Sequence, residues 1–433
     1  MTLRRVGVVL IATHLLIAGR TASADSITIW WAQWDPAAAL QTLSKEFTED
    51  TGTAVVVHHI PWPSYHDQVF LNFGNKQTDF DIVVGDSQWI GRGAQSGLYL
   101  DLTDWLPKAV DMDSLHPLAR RYLCEYPYDS GRYYAAPCET DAIGFAYRRD
   151  WFEDPEEKED FRARHNRELA PPDTWQEFRE VAAFFHRPEE KQYGCSILAG
   201  RGYDGITMGF QPFLWAWGGA WGNRTTYQIK GYVNGTPAIQ GLTFMKTLLP
   251  FTPPGGNSAD YFYTNDVFLH GSTAMVLDYF PFYPGIVNSM GDKVGFFVVP
   301  RNGDRRAISL GGQGFSISTK IKSSQQQRAK EFIAWFHKKE IQKKWITYPG
   351  AFTANTELLS SKEFVDASPY NHAFAASLDH LRDFWNVPVY NELLAVSQRY
   401  LGEALDDVKT PKEALDIIAE EHELIMMQAG LLK

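Results

Sequence analysis

The sequence predicts an α/β fold built on open, mostly parallel sheets with helices on both faces. Three observations predict it. Strand-like and helix-like segments alternate from residue 27 onward, the run "DIVVGD" at 81–86 is apolar enough for a strand buried on both faces, and 433 residues exceed what one core usually holds. The chain has no low-complexity tract, no fixed-period repeat and no Gly/Ser-rich linker, so two domains joined by short crossings are expected.

The elements follow in order. Arg4 and Arg5 precede an apolar run, Val6 to Ala18, that is too short to span a bilayer and ends near small residues, the pattern of a secretory leader. Ala22-Ser23-Ala24 fits the small-x-small cleavage rule and places the mature start at Asp25. No cysteine stands near that point, which favours a freely diffusing product over a lipid-anchored one. Ile27–Trp31 has strand character. Ala37, Leu40, Leu43, Ser44 and Phe47 then recur at helical spacing, and Gly52 supplies a stop before a strand at Ala54–His58. A helix over about 64–75 leads into the buried strand Ile82–Val84, and another helix carries Trp89 to Ala94.

The middle of the chain is more helical. Thr174-Trp175-Gln176-Glu177 and Thr410-Pro411-Lys412-Glu413 are capping boxes, in which hydroxyl and carboxylate each satisfy an otherwise unpaired backbone donor. The runs "GSTAMVLDYF" at 271–280 and "GGQGFSIS" at 311–318 return to strand character, and the chain from Ser323 onward is nearly all helix.

Composition narrows the partners. Loss of the leader removes Arg4, Arg5 and Arg20 and takes the net charge from −11 to −14, which disfavours nucleic acid and anionic membrane. Of three cysteines, Cys124 and Cys138 flank a turn-rich stretch. A disulfide there, contributing about 3 kcal/mol through the unfolded chain, and two free thiols are both open readings; Cys195 is expected as a buried thiol. The cysteine spacing matches no zinc pattern, adjacent His58 and His59 diverge on a strand, and "EEHE" at 420–423 is a solvated helix face, so no metal and no cofactor are expected.

In an open α/β sheet, ligands bind beyond the carboxyl ends of the strands. Here those ends carry Trp30, Trp31, Gln33 and Trp34; Asp86, Ser87, Gln88 and Trp89; and Asp278, Tyr279, Phe280 and Tyr283. A further aromatic group, Trp215, Trp217 and Trp221 with Gly218 and Gly219, lies in the helical middle. An aromatic face packs on the C–H patch of a pyranose while carboxylate and amide groups bind its hydroxyls. Trp175, Trp335 and Trp345 fall in helical patterns and belong to the core; Trp34 and Trp89, at strand-to-helix turns, fit site or core equally. Asp86 and Asp278 fit ligand contact or helix N-capping. Two carboxylates flanking a sugar also describe a glycosidase, but no G-x-S-x-G elbow, Walker loop, HExxH helix or dinucleotide fingerprint is present, and no catalytic residue is assigned.

Several segments resemble the extracellular solute-binding proteins of bacterial ABC transporters, family 1, which includes maltose-binding and multiple-sugar-binding proteins. "ITIWW" with "FTEDTGTAVVVH", "DIVVGDSQWIGRGAQSGLYLDLTDWL", "DSGRYYAAPCETDAIGFAYRRDWF", "GSTAMVL", "LGGQGFSIS" and "AKEFIAWF" with "YPGAFTANTELL" are similar, in order, to that family's motifs. The resemblance implies two α/β lobes joined by a hinge crossed more than once: residues 25–138 plus 274–318, and 139–273 plus 319–433, after a leader of 1–24. It implies ligand contacts at Trp34, Tyr65, Asp86, Glu139, Trp217, Gly219, Asp278, Tyr283, Gln313 and Phe352. It further implies a periplasmic monomer that captures a carbohydrate-like small molecule and delivers it to ABC permease subunits. A polyol, a polyamine, a phosphorylated compound or a metal chelate are the alternative cargoes on the same fold.

Overall fold

The computed structural model describes residues 26–432. The expected leader and its cleavage near Ala24 lie outside the described residues. Among the described residues nine strands are formed: β1 (Ser26–Ala32), β2 (Ala54–Ile60), β3 (Ile82–Asp86), β4 (Ala136–Arg148), β5 (Tyr193–Ser196), β6 (Thr273–Tyr279), β7 (Val294–Phe297), β8 (Ile308–Ile317) and β9 (Leu381–Arg382). They pair in the order β2-β1-β3-β8-β4-β6-β5, with β7 also on β4 and β9 on β8.

The amino-terminal part follows from local sequence. β1 alternates in burial, with Ile27, Ile29 and Trp31 inward, as a strand covered more heavily on one side should. The helix Asp35–Thr51 carries Pro36 in its first turn and stops at Gly52, whose φ of +76° suits a residue without Cβ. It returns the chain to β2, parallel to β1, and the helix Trp62–Asn72 leads on to β3, also parallel to β1. All five residues of β3 are buried.

The two long strands depart from the mostly parallel expectation. β8 runs antiparallel to both β3 and β4, and β4 antiparallel to β6 and β7, so the sheet is mixed. A parallel neighbour needs a crossover connection of a dozen or more residues. β7 and β8 are instead joined through a short bend closed by Asn302 and Arg305, and pass one after the other along β4 in the same direction.

Strand β4 joins two sets of strands. Its first half, Ala136 to Ala142, pairs with β8, and its second, Ile143 to Arg148, with β6 and β7. β6 and β7, placed with the first lobe on sequence, pair with the second half of β4, and β6 pairs with β5. The helix Ser323–Phe336, placed with the second lobe, packs on the first set: Phe332 meets Phe47 at 5.3 Å and Phe315 at 5.8 Å between ring centroids. Which sheet a strand joins depends on partners far along the chain, so periodicity carries no trace of it.

Both capping boxes form, Thr174 accepting from Glu177 N–H and Thr410 from Glu413 N–H, each at 3.2 Å. Trp175, Trp335 and Trp345 are core residues. Cys124, Cys138 and Cys195 are all buried free thiols, so no disulfide links Cys124 to Cys138. Among the described residues no helix is long and apolar enough to cross a membrane.

Candidate functional site

The carboxyl ends of β1, β3 and β6 converge with the start of β8 on a cavity of about 570 Å³, its open space included. β1 and its turn contribute Ala32, Gln33 and Trp34; β3 and the turn after it contribute Asp86 and Gln88; β8 contributes Leu310 to Gln313. Asp141 comes from the point where β4 passes from one set of strands to the other. Asp204 and Met208 belong to the opening of the helix Gly205–Ala216, and Tyr261, Phe262, Tyr279 and Phe282 complete the wall. Gly311 makes this possible, because a Cβ there would come within 2.7 Å of both the Asp141 carboxylate and the Tyr279 ring.

Aromatic faces form one part of the lining. Tyr261 and Phe282 stack at 5.6 Å with an interplanar angle of 4°, and Trp34 leans on Phe282 at 6.2 Å. Trp62 stacks on the buried Trp89 at 6.2 Å and 13°. The Nε1–H of Trp34 is buried without a hydrogen-bond partner.

Carboxylates form the other part. Asp86 is 7% exposed and accepts from the Ser87 hydroxyl at 2.9 Å and Gln88 N–H at 3.3 Å. Burial pushes its carboxyl well up from the usual range, and Asp204 and Asp383 push in the same direction. Asp141 is also raised, by burial first and then by Asp278 and Asp86, against the Ala142 N–H that donates to it at 2.5 Å. Asp204, 5% exposed, accepts from the Tyr261 hydroxyl at 2.8 Å and Trp62 Nε1–H at 3.5 Å. Burial pushes it up to about 6 despite those bonds. Gln88 is 2% exposed; its amide nitrogen faces the Met208 sulfur at 3.9 Å and its Oε1 has no donor. Among the described residues no lysine, arginine or histidine lines this cavity, and no three acidic, histidine or cysteine side chains are arranged to hold a metal ion.

Of the ten residues singled out on sequence, Trp34, Asp86 and Gln313 meet here. Gln313 Oε1 accepts from Trp31 Nε1–H, which ties β8 to the buried face of β1. The other seven do not line the cavity. The Tyr65 hydroxyl is shared between the carbonyls of Trp30 (2.6 Å) and Val84 (3.0 Å), a clamp across β1 and β3. Tyr283 accepts from Asp278 N–H at 3.0 Å and donates to the Gly144 carbonyl at 2.9 Å. The Asp278 carboxylate faces Thr264 and Asn265, at 2.9 and 2.8 Å. Glu139 is wholly buried and accepts from Phe352 N–H at 3.0 Å, while the Phe352 ring packs on Phe374 at 4.1 Å. Trp217 follows the far end of its helix, against Phe244 at 4.7 Å, and Gly219 is pressed on Leu214. The hydroxyls of Tyr65 and Tyr283, the Asp278 carboxylate and the rings of Trp217 and Phe352 are thus spent on backbone or core, while Glu139 keeps one carboxylate oxygen, Oε2, without a partner. Trp89 is likewise core, its Nε1–H donating to the Tyr203 hydroxyl at 2.5 Å.

Sequence reasoning missed Trp62, Asp141, Asp204, Tyr261 and Phe282, and had Gln88 and Tyr279 only as general strand-end residues. A usable signal existed for two of them. Asp141 is one of two acids in a thirteen-residue strand whose first eleven residues are all buried, and Asp204 stands directly before a wholly buried helix.

A second cavity, of about 1130 Å³ with its open space included, lies between the helix Pro117–Leu123 and the segment around β9. It too is aromatic, with Tyr122, Trp215, Trp221 and Trp385, but its charged lining is Arg121, Arg224, Arg306, Asp379, His380 and Arg382. Three of those arginines have partners. Arg121 pairs with Asp129 at 2.8 Å, Arg306 with Asp173, and Arg224 donates to the Asp383 carbonyl while holding down the buried Asp383 carboxyl, itself raised by burial to about 6.

Similar proteins share this architecture. A chain from Agrobacterium radiobacter K84, an ABC transporter solute-binding protein in complex with ribitol, is 24% identical. It superposes with a TM-score of 0.77 over 93% of this chain and 99% of its own. The maltose-bound MalE3 of T. maritima is 22% identical, with a TM-score of 0.79 over 92% and 99%. In sequence, a probable amino-acid ABC transporter periplasmic-binding protein of Sinorhizobium fredii is 23% identical over 91% of this chain and 88% of its own. The model of the bacterial extracellular solute-binding proteins matches residues 31–343. With its two strand sets joined through β4 and its cavity between them, this chain belongs to that family.

Proposed function

We propose that this protein is the periplasmic solute-binding component of an ABC importer, exported by a leader cleaved near Ala24, and that it carries a polyhydroxylated solute in the cavity around Asp141. The observation that carries this reading is the composition and place of that cavity: aromatic faces, carboxylates and an undonated amide oxygen at the junction of two strand sets. Rings take the C–H surface of a sugar or polyol, and acceptors take its hydroxyls. The ribitol- and maltose-bound neighbours agree with that class of cargo.

One lobe consists of β1–β3, β8 and the first half of β4, and the other of β5–β7 and the second half of β4. Trp62 to Asp204 (3.5 Å), Trp89 to Tyr203 (2.5 Å) and Gly91 N–H to Asn386 (2.5 Å) are contacts that opening would break. A solute touching both lobes stabilises the closed form, which a monomer then presents to the permease. Trp34, Asp86 and Gln313 contact the solute together with Trp62, Asp141, Asp204 and Tyr261. No bond is made or broken. Titration against sugars and polyols, followed by tryptophan fluorescence, tests the carrier role; saturable binding with unchanged solute after long incubation supports it, and hydrolysed product overturns it.

A further inference from the structure

Three carboxylates, Asp86, Asp141 and Asp204, face one cavity that no basic side chain lines among the described residues. Among the described residues no three acidic groups are arranged to hold a metal ion, so a group that brings hydrogen-bond donors of its own suits them better than a bare cation. A second observation is independent of the acids. Gln88, 2% exposed, lines the same cavity with its Oε1 undonated, so a buried amide oxygen awaits a donor beside the acids. Around these acceptors stand the rings of Trp34, Trp62, Tyr261 and Phe282, whose faces attract cations.

We infer that the solute carries a protonated amine on a hydroxylated frame, an amino sugar or amino polyol, with its ammonium group among Asp86, Asp141 and Asp204. This rests on the carrier reading above and sharpens it. A neutral sugar would bring these three buried carboxyls no counter-charge, whereas an ammonium group would. A free amino acid or a phosphorylated compound would bring a further negative group into a cavity with no cation to meet it, and like charges repel. A polyamine without hydroxyls would leave Trp34 Nε1–H without an acceptor. Burial holds all three carboxyls above their usual range, with repulsion from neighbouring carboxylates added at Asp86 and Asp141, and a bound ammonium relieves both.

The test uses matched pairs on the full mature chain: D-glucitol against N-methyl-D-glucamine, and D-glucose against D-glucosamine, with spermidine as an amine lacking hydroxyls, by calorimetry at neutral pH. The amine of at least one pair should bind roughly thirtyfold or more tightly than its neutral parent, and Asp141→Asn and Asp204→Asn should each reduce that preference at least several-fold. Equal or tighter binding of the neutral parents overturns the charge and leaves the carrier reading standing; binding by none of these compounds overturns both. Tighter binding of spermidine than of every hydroxylated amine overturns the hydroxylated frame. Thermal unfolding of the ligand-free variants gives a measurement that needs no solute. Removing an uncompensated charge should raise the melting temperature of Asp141→Asn by several degrees, and a fall overturns the inference.

Discussion

The cavity around Asp141 and the cavity around Arg224 are both walled by tryptophan and tyrosine, and the second is the larger, about 1130 against 570 Å³. They differ in how their charges are answered. Arg121, Arg224 and Arg306 each meet a carboxylate or carbonyl of the protein itself, and Asp383 sits beside Arg224, so that region is an internally balanced network between helix and loop. Asp86, Asp141 and Asp204 meet hydroxyls, an indole and backbone N–H groups but no cation among the described residues. Size and aromatic lining therefore do not tell the two cavities apart; the balance of charge in their linings does.

The largest expected effect sharpens this contrast through pH. Asp204 and Asp383 both rise from 3.8 to about 6 on folding. A carboxyl raised in the folded state favours folding below its unfolded value and loses that advantage as pH climbs through its folded value. Ligand-free stability should therefore fall between about pH 4 and 6, by about 3 kcal/mol for each group. Urea unfolding across that range should show a shallower fall in Asp204→Asn. Arg224→Met should make it steeper, since the guanidinium no longer holds Asp383 down.

Next in size, Arg224→Met at neutral pH should destabilise the protein by about 2–3 kcal/mol, because it strands the buried Asp383 carboxyl, yet change solute affinity less than twofold. A comparable loss of affinity would break the distinction between the two cavities. Trp62→Ala should do the reverse. It removes a ring stacked on Trp89 and a donor to Asp204, so calorimetry should record a loss of affinity of about 2 kcal/mol. The smallest effect is expected at Arg382, exposed on the rim of the larger cavity; Arg382→Ala should shift unfolding by under about 0.5 kcal/mol and leave binding unchanged.

How far the sequence reached differs between fold and site. The βαβαβ opening, the stop at Gly52 and both capping boxes were legible because each depends on residues within a few positions of one another. The site was legible only where a strand end supplied it: Trp34 and Asp86 after β1 and β3, and Gln313 between two glycines. Tyr65, Tyr283 and Asp278 carry the same chemical groups at similar places, and only tertiary contacts show that their hydroxyls and carboxylate are taken by Trp30, Val84, Gly144 and Thr264. Asp204 is the converse case, an acid in a glycine-rich turn that reaches the cavity because the helix it precedes packs against β8.

By itself the sequence determined the class of element at each stretch, the abundance of rings and acids, and the family motifs, all of which are local properties of the chain. The tertiary structure alone decided which sheet β6 and β7 join, which carboxylates face the cavity, and that no basic side chain lines it among the described residues. Strand pairing and charge balance are sums over partners distant in sequence, and those sums exist only once the chain has folded.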